Sequence, residues 1–164
     1  MSVSNARLVA RAGLMAAGFL SAASLGCVLY VEDTDCGPYA YNYRGACYCD
    51  DGFDGDDPYG EGCWPVMTFR ITDDCDDGYD VKWKLHSDAR EWNWPDGDAY
   101  YTTPGLFLDG YESIVCENDE LICFGGETDG GLVYGVGLDF SATCTDCCYE
   151  CRSGEVDLGY LTCN

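Results

Sequence analysis

From Tyr79 to Leu85 the chain alternates without a break, with Tyr79, Val81, Trp83 and Leu85 on one side and Asp80, Lys82 and Lys84 on the other. A period of two is that of a strand with one buried face. Further strands are predicted over Val66–Ile71, Glu112–Cys116, Glu120–Phe124, Leu132–Leu138 and Leu158–Cys163. Clusters of turn-forming residues separate them: Asp73–Gly78, Trp94–Asp98, Asp109-Gly110 and Glu127–Gly131. Beyond residue 27 no segment repeats apolar residues at the i, i+3, i+4, i+7 spacing of a helix. The predicted fold is all-β: a small disulfide-rich unit over 36–63, then an antiparallel β-sandwich or barrel over 64–164 stapled by disulfides.

The N-terminal pattern is different. Arg7 and Arg11 precede an uncharged, largely apolar stretch, Ala12–Leu25, and Gly26 stands before Cys27. Fourteen residues fall short of the roughly 20 that span a bilayer, so residues 1–26 read as a removable export signal. Ser24-Leu25-Gly26-Cys27 resembles the lipobox of bacterial lipoprotein precursors, in which the cysteine becomes the acylated N-terminus. The leucine stands one place later than in that family. The resemblance implies a membrane anchor at Cys27, followed by a tether to residue 35. Several acyl chains hold a protein stably where one gives only marginal binding. In that family a residue other than Asp after the cysteine, here Val28, goes with sorting to the outer membrane. The alternative is ordinary secretion, with cleavage after Ala23 or Gly26.

Cysteine count points the same way. The chain has 13 cysteines; with Cys27 acylated, twelve remain to pair, as expected in an oxidising compartment. Each bridge in a small domain typically contributes about 2–5 kcal/mol. The run Cys47-Tyr48-Cys49-Asp50-Asp51-Gly52-Phe53-Asp54-Gly55 resembles the second half of an EGF-like module, with Gly52 and Phe53 at that family's glycine and aromatic positions. A full module has six cysteines and this unit has four, Cys36, Cys47, Cys49 and Cys63. The resemblance implies the pairs Cys36–Cys47 and Cys49–Cys63, and a role as spacer or contact element. For Cys75, Cys116, Cys123, Cys144, Cys147, Cys148, Cys151 and Cys163, 105 pairings are open.

Charge excludes one class of partner. Of 8 basic and 30 acidic side chains, residues 1–26 hold two of the former and none of the latter, so the processed chain carries a net charge of −24. Affinity for nucleic acid comes from Lys and Arg on phosphate, and this surface repels it.

Three clusters and one histidine are the candidates for chemistry. Cys144-Thr145-Asp146-Cys147-Cys148-Tyr149-Glu150-Cys151 contains two abutting Cys-x-x-Cys pairs. Read alone, the run matches a zinc site, an iron–sulfur ligand set or a redox dithiol, but adjacent Cys147 and Cys148 converge poorly on one ion, and an exported chain oxidises such a cluster to bridges. The acidic loop offers Asp50, Asp54 and Glu61 as oxygen ligands for a weak calcium ion, roughly 10⁻⁴–10⁻³ M. Calcium-binding EGF modules use carboxylates just before the first cysteine, a place that Asp33 and Asp35 hold ahead of Cys36 without the rest of that family's motif, and a solvated acidic turn is the plain reading. Trp92, Trp94, Tyr100 and Tyr101, with Asp96 and Asp98 among them, suit a platform for a glycan or an extracellular protein, or simple core filling. His86 is the sole histidine, and no Gly-x-Ser-x-Gly elbow accompanies it. The expectation is therefore a lipid-anchored, non-catalytic binding, adhesion or structural surface module without an obligatory cofactor. The alternative is a carbohydrate-active or thiol-redox envelope enzyme.

Overall fold

The computed structural model describes residues 35–163; residues 1–34, including the signal-like segment, Cys27, most of the tether and Asp33, lie outside the described residues, as does Asn164. The described residues form strands and no helix. They begin with β1 (Ala40–Tyr43), β2 (Ala46–Cys49), β3 (Phe53–Asp57), β4 (Gly62–Asp73) and β5 (Val81–Ser87). There follow β6 (Trp92–Trp94), β7 (Tyr101–Thr102), β8 (Asp109–Val115), β9 (Leu121–Thr128), β10 (Val133–Gly135), β11 (Cys148–Glu150) and β12 (Gly154–Leu161).

β1 and β2 make a separate hairpin, with Tyr41 opposite Tyr48 and Asn42 opposite Cys47. The other strands build two sheets. In the first, β5 and β9 pair antiparallel at the centre, β6 and β7 follow one another along the free edge of β5, and β10 and β11 do the same along β9. In the second, β4 pairs with β3 through its first residues and with β8 through Val66–Thr72. β4 crosses position 63/64 without interruption, so one strand belongs to both the Cys-rich unit and the larger domain.

Alternation decides what meets between the sheets. Met67, Phe69 and Ile71 of β4 and Ile114 of β8 face Val81, Trp83 and Leu85 of β5 and Ile122 and Phe124 of β9 in one buried cluster. Two sheets that share a core through facing apolar sides are a sandwich. Pairing is antiparallel except between β4 and β12, which run parallel. Two disulfides lock this sheet at opposite ends. Cys75–Cys163 joins the residues just past the ends of β4 and β12, and Cys116–Cys151 joins the residue after β8 to one before β12.

Some sequence expectations shift by a few residues, for local reasons. Tyr79 stands outside β5 and is exposed, because Asp77 Oδ1 accepts the Tyr79 amide at 2.9 Å in a turn. Lys84 was expected to point to solvent but is buried, its Nζ donating to the Gly97 carbonyl at 2.7 Å. A loop covers that outer face: a Cβ on Gly125 would lie 2.0 Å from the Gly137 carbonyl oxygen, so only glycine lets the loop approach β9. Asp109-Gly110, expected as a turn, opens β8, with Gly110 opposite Ile71 and close to Pro104.

One buried carboxylate ties the two halves of the first sheet. Glu120 receives hydrogen bonds from Ser87 Oγ, from Arg90 Nε at 2.6 Å and from the Glu117 amide at 2.9 Å. Burial alone would raise its pKa; the bonds from Arg90, Ser87 and Glu117 outweigh it and hold the carboxyl below its ordinary value. A depressed pKa contributes stability that is present above the unfolded value and lost as pH falls through the folded one. Glu120→Gln is therefore expected to lower stability by about 1–3 kcal/mol at neutral pH. The gap should close on acidification below the ordinary glutamate range, as read from urea midpoints. A gap that persists undiminished in acid would show that the charge is not what matters. Asp73 acts in the opposite sense: burial raises its pKa, so its contribution improves as the pH falls.

Candidate functional site

A group of exposed aromatic rings lies on the β1–β2 hairpin. Tyr41 and Tyr43 stand two apart on β1 and Tyr48 lies directly across from Tyr41, which places these three on one face; Tyr39 precedes the strand at φ +55°, where the alternation does not hold. Each of the four is between 43% and 52% exposed, far more than a core position allows. The rings form an array: Tyr41 and Tyr43 lie 6.0 and 6.4 Å from Tyr48 by ring centroid, and Tyr39 stacks on Phe53 at 4.4 Å. The Arg44 guanidinium sits 5.0 Å over Tyr43. Disulfides Cys36–Cys47 and Cys49–Cys63 anchor the hairpin, the same pairs that the EGF-like resemblance implies. These tyrosines are not among the sequence-derived candidates, although the Tyr-x-Tyr-x-Tyr period was readable.

The Trp92, Trp94, Tyr100 and Tyr101 set divides between core and solvent. Trp94 and Tyr101 pack against the buried cluster, opposite Leu85 and Trp83 respectively. Arg90 lies over the Trp94 ring at 5.0 Å. Trp92 and Tyr100 are exposed, and Lys82 Nζ lies 5.2 Å from the Tyr100 ring. The four do not make one flat face.

Asp54 and Glu61 border a common hollow with Asp56, Asp57 and Trp64; Asp50 is not among its lining residues. Several of these acids are already occupied by their own backbone. Asp54 Oδ1 accepts the Gly55 amide at 2.8 Å, and Asp57 Oδ1 accepts the amides of Tyr59 and Gly60 at 3.2 and 3.1 Å. Among the described residues no group of three or more His, Cys, Asp and Glu has a geometry to hold a metal ion.

The cysteine cluster is distributed over three bridges. Cys144 pairs with Cys147, Cys148 with Cys123 across β11 and β9, and Cys151 with Cys116. His86 is tied on every side. Nδ1 meets Asn93 Oδ1 at 2.6 Å, Nε2 meets Asp88 Oδ1 at 2.7 Å, and the ring stacks on Phe140 at 4.3 Å. A residue so engaged serves as a cross-brace between β5, β6 and the covering loop.

Comparison with protein families, curated proteins and solved structures finds no match to this chain.

Proposed function

We propose that the protein is exported by its signal-like segment 1–26, held to a membrane by acyl chains on Cys27, and serves at the outer membrane or cell surface as a non-catalytic binding or structural module. The observation that carries this is the use of sulfur. Six disulfides consume all twelve cysteines of the described residues, which suits an oxidising compartment and leaves Cys27 as the one cysteine outside the bridges. Residues 36–63 act in this reading as a partial EGF-like contact element. Support comes from the tyrosine face, since Tyr offers a large, stiff contact area with a polar tip. The bracing of His86 supports a non-catalytic role.

Intact mass of the membrane-extracted protein tests the reading. The expected species lacks residues 1–26, carries acyl mass on Cys27 and has no free thiol. An unprocessed chain, or one with several reduced cysteines, would remove it. For the binding surface, a glycan array with wild type, Tyr41→Ala/Tyr48→Ala and Trp92→Ala is expected to lose signal in the tyrosine variant and keep it in the tryptophan variant. Identical profiles for wild type and the tyrosine variant would dismiss the hairpin as a sugar platform.

A further inference from the structure

The loop after β7 breaks two rules of a soluble surface at once. Leu106, Phe107 and Leu108 are consecutive large apolar residues, and Phe107 and Leu108 are 64% and 55% exposed. Single exposed apolar residues need no explanation, but a contiguous apolar tip does. Phe107 also sits at φ +59°, in the left-handed region where a bulky side chain is strained.

The backbone around it is fixed. The Phe107 amide donates to the Asp73 carbonyl at 2.8 Å, the Leu108 amide to Gly105 at 3.1 Å, and Leu106 forms a bridge with Asp73 at the end of β4. At the root of the loop, the Thr103 amide donates to the Val81 carbonyl at 3.0 Å and Thr103 Oγ1 accepts the Val81 amide at 3.0 Å. Surroundings that over-determine a strained residue are characteristic of functional positions. Here they hold an aromatic ring outward, in a conformation that glycine would adopt at lower cost.

Beside the tip is a hollow of about 210 Å³ bordered by Leu106, Tyr79, Asp76 and Asp80. None of its lining residues is basic. The tip is thus apolar and its flank uniformly acidic. A second copy of a chain with net charge −22 meets like charge, and an anionic lipid surface does too.

We infer that the loop 104–108 and the adjoining hollow dock a protein partner whose surface pairs an apolar pocket, to receive Phe107, with Lys or Arg side chains, to meet Asp76 and Asp80. This surface is separate from the tyrosine face and does not depend on Cys27. Central aromatic anchors supply most of the affinity in such contacts, and complementary charge supplies rate and specificity.

The test uses the full chain and two variants, Phe107→Gly and Asp76→Asn/Asp80→Asn, with a random peptide display library as the probe. Phe107→Gly is expected to raise the melting temperature by about 3 °C or more, because glycine relieves the positive φ and little packing is lost. A lower melting temperature would make Phe107 a structural residue and overturn the inference. Peptides enriched on the wild type are expected to join two or more Lys or Arg to an aromatic or aliphatic residue. Their binding should fall at least about tenfold on either variant, and association should slow as salt rises. Enriched peptides that bind Phe107→Gly as well as wild type, or a library that yields no Phe107-dependent sequence, overturn it. Flotation with phosphatidylcholine vesicles closes the remaining route: Phe107-dependent flotation would mark a lipid-inserting tip instead and equally overturn protein docking.

Discussion

Replacing Cys75 and Cys163 together by alanine is expected to lower folding stability by about 4–5 kcal/mol, the largest loss for any one bridge. The bridge joins residues 88 apart in sequence, whereas Cys144 and Cys147 are separated by 3. If a disulfide acts mainly by restricting the unfolded chain, the stabilisation grows with the logarithm of the closed loop. The same expression then gives about 2 kcal/mol for Cys144→Ala/Cys147→Ala. Urea unfolding of the two double variants measures the difference directly. The long bridge also holds the matched ends of the parallel pair β4 and β12, where the Asp74 amide donates to the Leu161 carbonyl at 2.9 Å. Equal losses for the two variants would mean that native-state enthalpy, not loop closure, sets the worth of these bridges.

The second large effect is at Trp83, where size and polarity pull in opposite directions. The side chain is 1% exposed, lies 4.9 Å from the Tyr101 ring and 6.1 Å from Phe124, and faces the core from the middle of β5. Trp83→Ala should cost about 3–5 kcal/mol through lost transfer free energy and the cavity left behind. Trp83→Phe should cost far less, about 1 kcal/mol. The reason is that the indole Nε1 is buried and has no hydrogen-bond partner among the described residues. An unsatisfied buried donor costs about 1–3 kcal/mol, and phenylalanine removes it while keeping most of the apolar volume. Chemical denaturation of both variants settles the balance; a phenylalanine variant as unstable as the alanine one would show that the indole N–H is satisfied after all.

Much of the architecture was legible because one face of each main strand is buried. The alternation from Val81 to Leu85 places three residues in the core, as the observed burial has it. The prediction of an all-β chain stands on the same signal, and that of its disulfide staples on the even number of cysteines left beside Cys27. Less legible were effects that act between segments distant in sequence. Nothing local to Lys84 shows that a turn ending at Gly97 will cover it, and nothing in Asp109-Gly110 distinguishes a turn from a strand that needs a glycine beside Ile71. The parallel pairing of β12 with β4 is likewise invisible to a pattern that reads one strand at a time. At the candidate sites, composition drew attention to tryptophans and acids. Two of the aromatic residues proved to be core margin, and the exposed rings belong to tyrosines whose period of two was hidden in a short polar hairpin.

The neighbours Cys147 and Cys148 have one more implication, for biogenesis. Their partners, Cys144 and Cys123, could be exchanged to give an isobaric product with no free thiol, which mass alone does not distinguish. That isomer would set Cys147 opposite Cys123, and a one-residue slip of β11 turns Tyr149 from the core to water. The tyrosine packs 6.1 Å from Phe69 across the sandwich, so the isomer that keeps it against the core is expected to be the more stable of the two. An oxidant that merely closes sulfurs would leave a mixture, whereas a shuffling catalyst would let the ring select, and fragmentation of the linked peptides between Cys147 and Cys148, after refolding with and without such a catalyst, would show which is true.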